Sequence, residues 1–244
     1  MKFARARNPE TGEIIEGEIS EEGLLTAEDR TLSLPELDLL APVTPSKIIC
    51  VGLNYRDHIE ETDSSVPDRP SLFFKPPTAL VNPGDPIEIT ANHRYDPEGE
   101  IAIVIGKDCR NVERSNAFSY IRGFTGLNDV TNRDAQSWEQ NWVRAKGFDT
   151  AAPLGPVLVT PDEVDLPISF ELKVNGSVRQ SSDTSNLIFD LPDLVEEISS
   201  FMTLRRGDVI STGTPRGIAP VKEGDVVRLE IDGIGTLENP VKYF

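Results

Sequence analysis

Tyr95-Asp96-Pro97-Glu98-Gly99-Glu100-Ile101-Ala102-Ile103-Val104-Ile105-Gly106 is the stretch from which the rest of the chain is read. It opens with turn chemistry and runs into β-branched residues, which predicts a strand. Side chains alternate along a strand, so Glu98, Glu100, Ala102 and Val104 share one face and Ile101, Ile103 and Ile105 the other. Two carboxylates thus project side by side from the start of an apolar strand. Like charges that close repel unless they diverge into water, take up a proton or hold something positive between them. From these residues alone, a solvated strand end and half of a divalent-cation site are both open readings.

Outward from this stretch, further residues suit the second reading. Gly123 to Val130 predicts another strand carrying Asp129 at its end. Three carboxylates with no cysteine cluster favour a hard cation, Mg²⁺ or Mn²⁺. Lys47 to Val51 predicts a buried strand ending at Gly52-Leu53-Asn54, with Asn54 as N-cap of a helix over Tyr55 to Glu61. His58 and Glu61 then share a helical face. A lone helical histidine is ordinarily a surface or core residue, but a carboxylate one turn away can fix its tautomer and raise its basicity, as a general base requires. Lys146, read as the only lysine of its neighbourhood, could meet anionic substrate or developing oxyanion charge. The Gly213-Thr214-Pro215 turn offers N–H groups and a hydroxyl to a carboxylate. Spacing cannot bring these groups together in space, so the residues alone stop at a metal-dependent enzyme acting on a small acid.

The remaining chain predicts a strand-rich protein. Lys2 to Arg7 and Ile14 to Ile19 read as strands around the Asn8–Gly12 turn, and Ala41-Pro42-Val43-Thr44-Pro45 reads as a connector. The expected division is a small N-terminal β domain, 1–45, and a larger domain, 46–244. Ser71 to Phe74 predicts a strand, Thr62 to Pro70 a polar loop, and Ser115 to Ile121 a short helix capped by Ser115. Trp138 and Trp142 stand four apart, as if on one helical face, and Arg133 and Gln136 are likewise spaced for a shared face. Residues 147–156 read as a Gly/Pro-rich loop. Asn175-Gly176 predicts a hairpin, Leu191 to Met202 an amphipathic helix, Val209 to Thr212 a strand, and 224–240 a last hairpin. His93 reads as an ordinary loop residue and the two cysteines, Cys50 and Cys109, as buried thiols.

The formal net charge of −17 over 244 residues argues against nucleic acid and anionic membranes as partners. Acids spread along the whole chain suggest a surface adapted to high salt. No apolar run reaches membrane-spanning length and the first residues lack the apolar core of a signal peptide, so the expected location is cytoplasmic.

Five segments in order also resemble a known family: Ser46 to His58, Glu98-Gly99-Glu100 with its apolar strand, Asn128 to Asp134, Lys146 to Thr150, and Thr212 to Gly217. Together they are similar to the fumarylacetoacetate hydrolase family, in its compact prokaryotic and archaeal form, over roughly residues 45 to 244. The resemblance implies a mainly β (α+β) fold, a mixed sandwich-like roll preceded by a small β domain, in a homodimer. It implies that Glu98, Glu100 and Asp129 bind Mg²⁺ or Mn²⁺, that His58 and Glu61 form a water-activating dyad, and that Arg133, Gln136 and Lys146 line the substrate pocket. Gly213 and Thr214 fall where the substrate carboxylate is held, and Thr62 to Pro70 falls on a segment that orders with substrate. The stretch from Asp129 to Lys146 is a few residues shorter than in some members. The implied substrate is a small 2-oxo or diketo acid handled through a metal-bound enolate. C–C hydrolysis of an acylpyruvate comes first. The alternatives are isomerisation of a 2-hydroxy-dienedioate, decarboxylation of oxaloacetate type, and dehydration of a keto-deoxy acid. A catalytically silent binding module of the same fold is the reading from a different class.

Overall fold

The computed structural model describes residues 1–20, 22–27, 30–63 and 65–244. In chain order, β1 (Lys2–Arg7), β2 (Ile14–Ile19), β3 (Leu24–Ala27), β4 (Arg30–Ser33) and β5 (Asp38–Leu40) come first. Next are β6 (Ile48–Gly52), α1 (Arg56–Glu61), β7 (Ser71–Lys75), β8 (Leu80–Val81), β9 (Ile87–Ile89), β10 (Tyr95–Asp96), β11 (Gly99–Ile105) and β12 (Ile121–Asn128). Then follow β13 (Thr131–Asn132), α2 (Arg133–Trp138), α3 (Val143–Lys146), β14 (Ala152–Val159), β15 (Ser169–Val174) and β16 (Ser177–Asp183). The chain closes with α4 (Leu191–Phe201), β17 (Val209–Ser211), β18 (Val226–Ile231) and β19 (Gly235–Tyr243).

Among the described residues, twelve strands form one sheet in the order β4-β3-β2-β1-β14-β12-β11-β17-β6-β7, with β5 beside β1 and β8 beside β14. Five more form a second sheet, β16-β15-β18-β19-β9, and β10 pairs with β13 alone. The mainly β architecture expected from the sequence is the one found.

The opening stretch supplies the central strand. Flanked by β12 and β17, β11 is buried at every position. Its alternation divides two cores. Ile101, Ile103 and Ile105 pack with Phe170, Leu172 and Leu229 of the second sheet and with Leu194 and Ile198 of α4. Ala102 and Val104 pack on the other side with Ile48, Cys50, Leu127 and Leu154. Burying an isoleucine this fully contributes about 1.5–3 kcal/mol over leaving it exposed, so the two-sided apolar run fixes this strand at the centre. Helix α4 adds a reciprocal cap in which Asp190 accepts from the Asp193 N–H and Asp193 accepts from the Asp190 N–H.

Several local expectations change. Asn54 is not a helix cap: α1 begins after Tyr55, and the Asn54 amide donates to the Thr212 and Phe189 carbonyls and accepts from the Phe189 N–H. Ser115 caps nothing, because the 3-10 helix Arg114–Tyr120 starts after Glu113. Trp138 and Trp142 share no helical face, since α2 ends at Trp138 and Trp142 takes a left-handed φ of 55° before α3. The Gly/Pro-rich stretch continues as β14 from Ala152, because both faces there are buried and no residue of the strand is exposed. The loop from Thr62 to Pro70 has no strand among its described residues, and Ser64 lies outside them. The N-terminal strands are hydrogen-bonded into the large sheet through β1 and β14. Both cysteines are free and buried. Among the described residues, no helix is long and apolar enough to cross a membrane.

Candidate active site

Strand register is what gathers the carboxylates. In the antiparallel pairing of β11 with β12, Gly99 faces Asn128 and Glu100 faces Leu127. One step further, the Asp129 N–H donates to the Glu98 carbonyl at 2.8 Å. Glu98, Glu100 and Asp129 are 4%, 2% and 1% exposed, which removes the solvated strand end. Each offers an oxygen, and these oxygens lie within 4.8 Å of one another.

Three cations surround the triad. The Lys146 ammonium donates to Glu98 Oε2 at 2.6 Å and to Asp129 Oδ2 at 2.7 Å. The Arg133 guanidinium donates to Glu98 Oε1, to Asp96 Oδ2 at 2.8 Å and to Gln136 Oε1 at 2.8 Å. Lys75, fully buried at the end of β7, donates to the carbonyls of Val130, Lys146 and Ala151 at 3.2, 2.7 and 2.8 Å. Its ammonium also lies 2.7 Å from Asp129 Oδ1. The three carbonyls take its three protons, so Asp129 Oδ1 receives charge but no directed hydrogen bond.

Burial would raise the Glu98 pKa, but Lys146 and Arg133 outweigh it and hold the carboxyl well below the usual range. Glu100 goes the other way. Burial, then Asp129, pushes it up to about 8, although Ser211 and the Gly213 N–H donate to its Oε2. Burial works against the charge of Lys146, and Asp129 and Glu98 more than restore it.

Hard oxygen donors, an Asp129 oxygen with no hydrogen-bond donor, and a third carboxylate resisting ionisation together fit a divalent cation. Glu98, Glu100 and Asp129 are the residues that could hold it.

The opposite wall comes from α1. His58, 7% exposed, has Nδ1 3.3 Å from Glu61 Oε2. Glu61 in turn accepts from the Gly217 N–H at 3.0 and 3.1 Å. Both walls face one cavity of about 240 Å³, lined also by Leu53, Thr62, Phe73, Gln136, Trp142 and Thr214. Of the candidate catalytic, substrate-binding and metal-ligating residues, all but Glu61 and Gly213 line this cavity, and those two contact His58 and Glu100, which do. The backbone of Gly213 has φ +97°, and a Cβ there would lie 2.8 Å from Asn54 Cβ and 3.0 Å from the Val51 carbonyl, so only glycine makes this turn.

Sequence reading missed Lys75, Asp96, Ser211 and Gln180. Lys146 is not the only lysine here. A lysine ending an apolar strand at Phe74-Lys75-Pro76 was the one available signal.

The profile described as fumarylacetoacetate (FAA) hydrolase, C-terminal, matches residues 47–242. An oxaloacetate tautomerase of Xenopus laevis is 42% identical over 230 residues, covering 89% of this chain and 72% of that protein. A solved structure of 5-carboxymethyl-2-hydroxymuconate delta-isomerase from Mycobacterium smegmatis is similar with TM-score 0.92 and 42% identity, over 100% of this chain and 99% of that one. Maleylpyruvate hydrolase from Sphingobium, solved with manganese(II) and pyruvate, gives TM-score 0.84 at 28% identity, over 100% of this chain and 99% of that one. The chain belongs to the fumarylacetoacetate hydrolase family.

Proposed function

We propose that the protein is a divalent-metal-dependent tautomerase or isomerase of a small 2-oxo diacid, with oxaloacetate or a 2-hydroxy-dienedioate as the substrate class. The observation that carries this reading is a buried histidine, bonded from behind by the Glu61 carboxylate, that shares a cavity of about 240 Å³ with the acidic triad. Proton transfer takes precedence over C–C hydrolysis, the reaction placed first from the resemblance. Two relatives at 42% identity carry the names tautomerase and isomerase, while solved structures named hydrolase stand at 35% and 28%.

Charge supports a dianion. The four carboxylates Asp96, Glu98, Glu100 and Asp129 stand against the four cations Lys75, Arg94, Arg133 and Lys146, so this cluster, part of it behind the cavity wall, is formally neutral. A divalent cation would leave it with two positive charges to match a diacid. When bound, that cation supplies a Lewis acid that makes the C–H beside the 2-oxo group more acidic.

The chain's own residues do the rest. Glu61 holds His58 Nδ1, which leaves Nε2 free to take the proton from the carbon beside the ketone. His58 returns it to the ketone oxygen in tautomerisation; with a 2-hydroxy-dienedioate it takes the hydroxyl proton instead and delivers it to the far carbon of the diene, so no atom is gained or lost. Lys146 and Gln136 steady the developing oxyanion, and the Gly213–Thr214 turn receives a carboxylate.

The test follows enol-oxaloacetate decay in the ultraviolet with Mn²⁺ or Mg²⁺, beside C3 deuteration in D₂O by NMR, with an acylpyruvate as control. Metal-dependent decay and deuteration without acylpyruvate cleavage are expected. Acylpyruvate cleavage as the faster reaction would restore the hydrolase reading. No turnover of any of these, nor of a 2-hydroxy-dienedioate, would leave the silent binding module.

A further inference from the structure

We propose that Gln180 is a positioning residue that couples the acidic triad to the turn receiving the substrate carboxylate; this rests on the role given to that turn above. Gln180 lies on β16 in the five-stranded sheet and is 1% exposed. Its carboxamide closes a ring across the two sheets. The Gly99 N–H donates to Gln180 Oε1 at 2.8 Å, Gln180 Nε2 donates to Thr214 Oγ1 at 2.8 Å, and Thr214 Oγ1 donates to the Gly99 carbonyl at 3.0 Å. The second Nε2 proton goes to the Pro215 carbonyl at 2.8 Å.

Each end of the ring matters to the site. Gly99 separates Glu98 from Glu100, and a Cβ there would lie 2.9 Å from Leu229 Cδ1, so its backbone is pressed against the second sheet. Thr214 lines the cavity. The ring commits its hydroxyl proton to Gly99, which fixes the Thr214 rotamer relative to the triad. The same edge of β16 supports the far end of the turn. Gly217 has φ +106° and a Cβ there would meet the Arg179 carbonyl at 2.0 Å, and the Gly217 N–H is the one that holds Glu61. The Gln180 carboxamide thus sets the spacing between triad and carboxylate turn, and the Arg179 backbone beside it supports the end of the turn that holds Glu61.

Gln180→Glu keeps an acceptor for Gly99 but loses both donors, so it cuts the ring on the Thr214 side alone. Gln180→Asn keeps the amide but shortens its reach. Each variant is measured for thermal midpoint, for Mn²⁺ affinity by calorimetry, for oxalate affinity of the Mn²⁺-loaded protein, and for KM and kcat on oxaloacetate. The expected result is a folded protein with Mn²⁺ affinity within about threefold of the parent, oxalate affinity weakened roughly tenfold, and KM raised more than kcat falls. A merely structural glutamine would lower the thermal midpoint and leave oxalate affinity and KM alone. Either folded variant with parental oxalate affinity would overturn the proposal. Should the parent bind oxalate yet turn over no substrate, the proposed reaction fails while the oxalate comparison still decides the role of Gln180.

Discussion

Glu98 is the residue on which the site turns, since it meets Arg133, Lys146 and the shared triad at once. Glu98→Ala removes a cation ligand and leaves two buried cations unbalanced, a costly arrangement. Loss of both Mn²⁺ binding by calorimetry and turnover is expected, and metal-dependent activity retained in this variant would sink the assignment. The proposed base, His58, stands on the other wall. In His58→Ala, Mn²⁺ affinity should stay at the parental value while kcat falls by about 10²–10⁴, the usual worth of a general base. Lys75 and Asp96 show the limit of reading residue by residue. Nothing in Phe74-Lys75-Pro76 says that this lysine will turn inward to Asp129 and to three carbonyls that lie 55 to 76 positions away.

At the scale of elements, the site hangs on the ends of three strands and a turn. β11 and β12 set Glu98 opposite Asp129 by register, and β17 delivers Ser211 and Gly213 to Glu100. A slip of one residue would turn every side chain of β11 to the opposite face and dissolve the triad. Gly213→Ala tests the turn. With φ at +97° and Asn54 Cβ within 2.8 Å, it should cost on the order of 1–3 kcal/mol, seen as a lower thermal midpoint, and should weaken Mn²⁺ binding through Glu100. An alanine variant with unchanged midpoint would show that the turn relaxes freely. The helix expected between Asp129 and Lys146 breaks into α2 and α3, which brings Trp142 to the cavity and leaves Trp138 outside, 65% exposed. Helical spacing could not foresee that break, after which α3 carries Lys146 to Glu98.

For the whole molecule, charge decides two expected outcomes. In metal-stripped protein the Glu100 carboxyl is pushed by burial and then by Asp129 from 4.5 up to about 8, so between these values the folded state binds more protons than the unfolded. Stability then falls as pH rises through this window. Thermal midpoints in a chelator should decline from about pH 4.5 to about pH 8, and Mn²⁺ should flatten that decline by favouring ionised Glu100; a rising curve in chelator would contradict it. The net charge of −17 predicts the second outcome. Screening shortens self-repulsion, so stability should rise between low and molar KCl. A flat or falling curve would remove the high-salt adaptation.

By itself the sequence determined the elements whose cause is local. The two-faced apolar run of β11, the Asn175-Gly176 hairpin and the amphipathic α4 follow from periodicity and turn chemistry, and the five ordered segments pointed to the family. It also placed His58, Glu61, Glu98, Glu100, Asp129 and Lys146 as chemistry-bearing residues, because carboxylates and a histidine beside strand ends are conspicuous. Only the tertiary structure decided that these groups gather at one cavity, that Lys75 backs Asp129, and that Gln180 bonds both Gly99 and Thr214. The reason is physical. Register and sheet-on-sheet packing are set by burial summed over many strands, and no single stretch records which distant carbonyl or carboxylate will fall within 3 Å of its side chains.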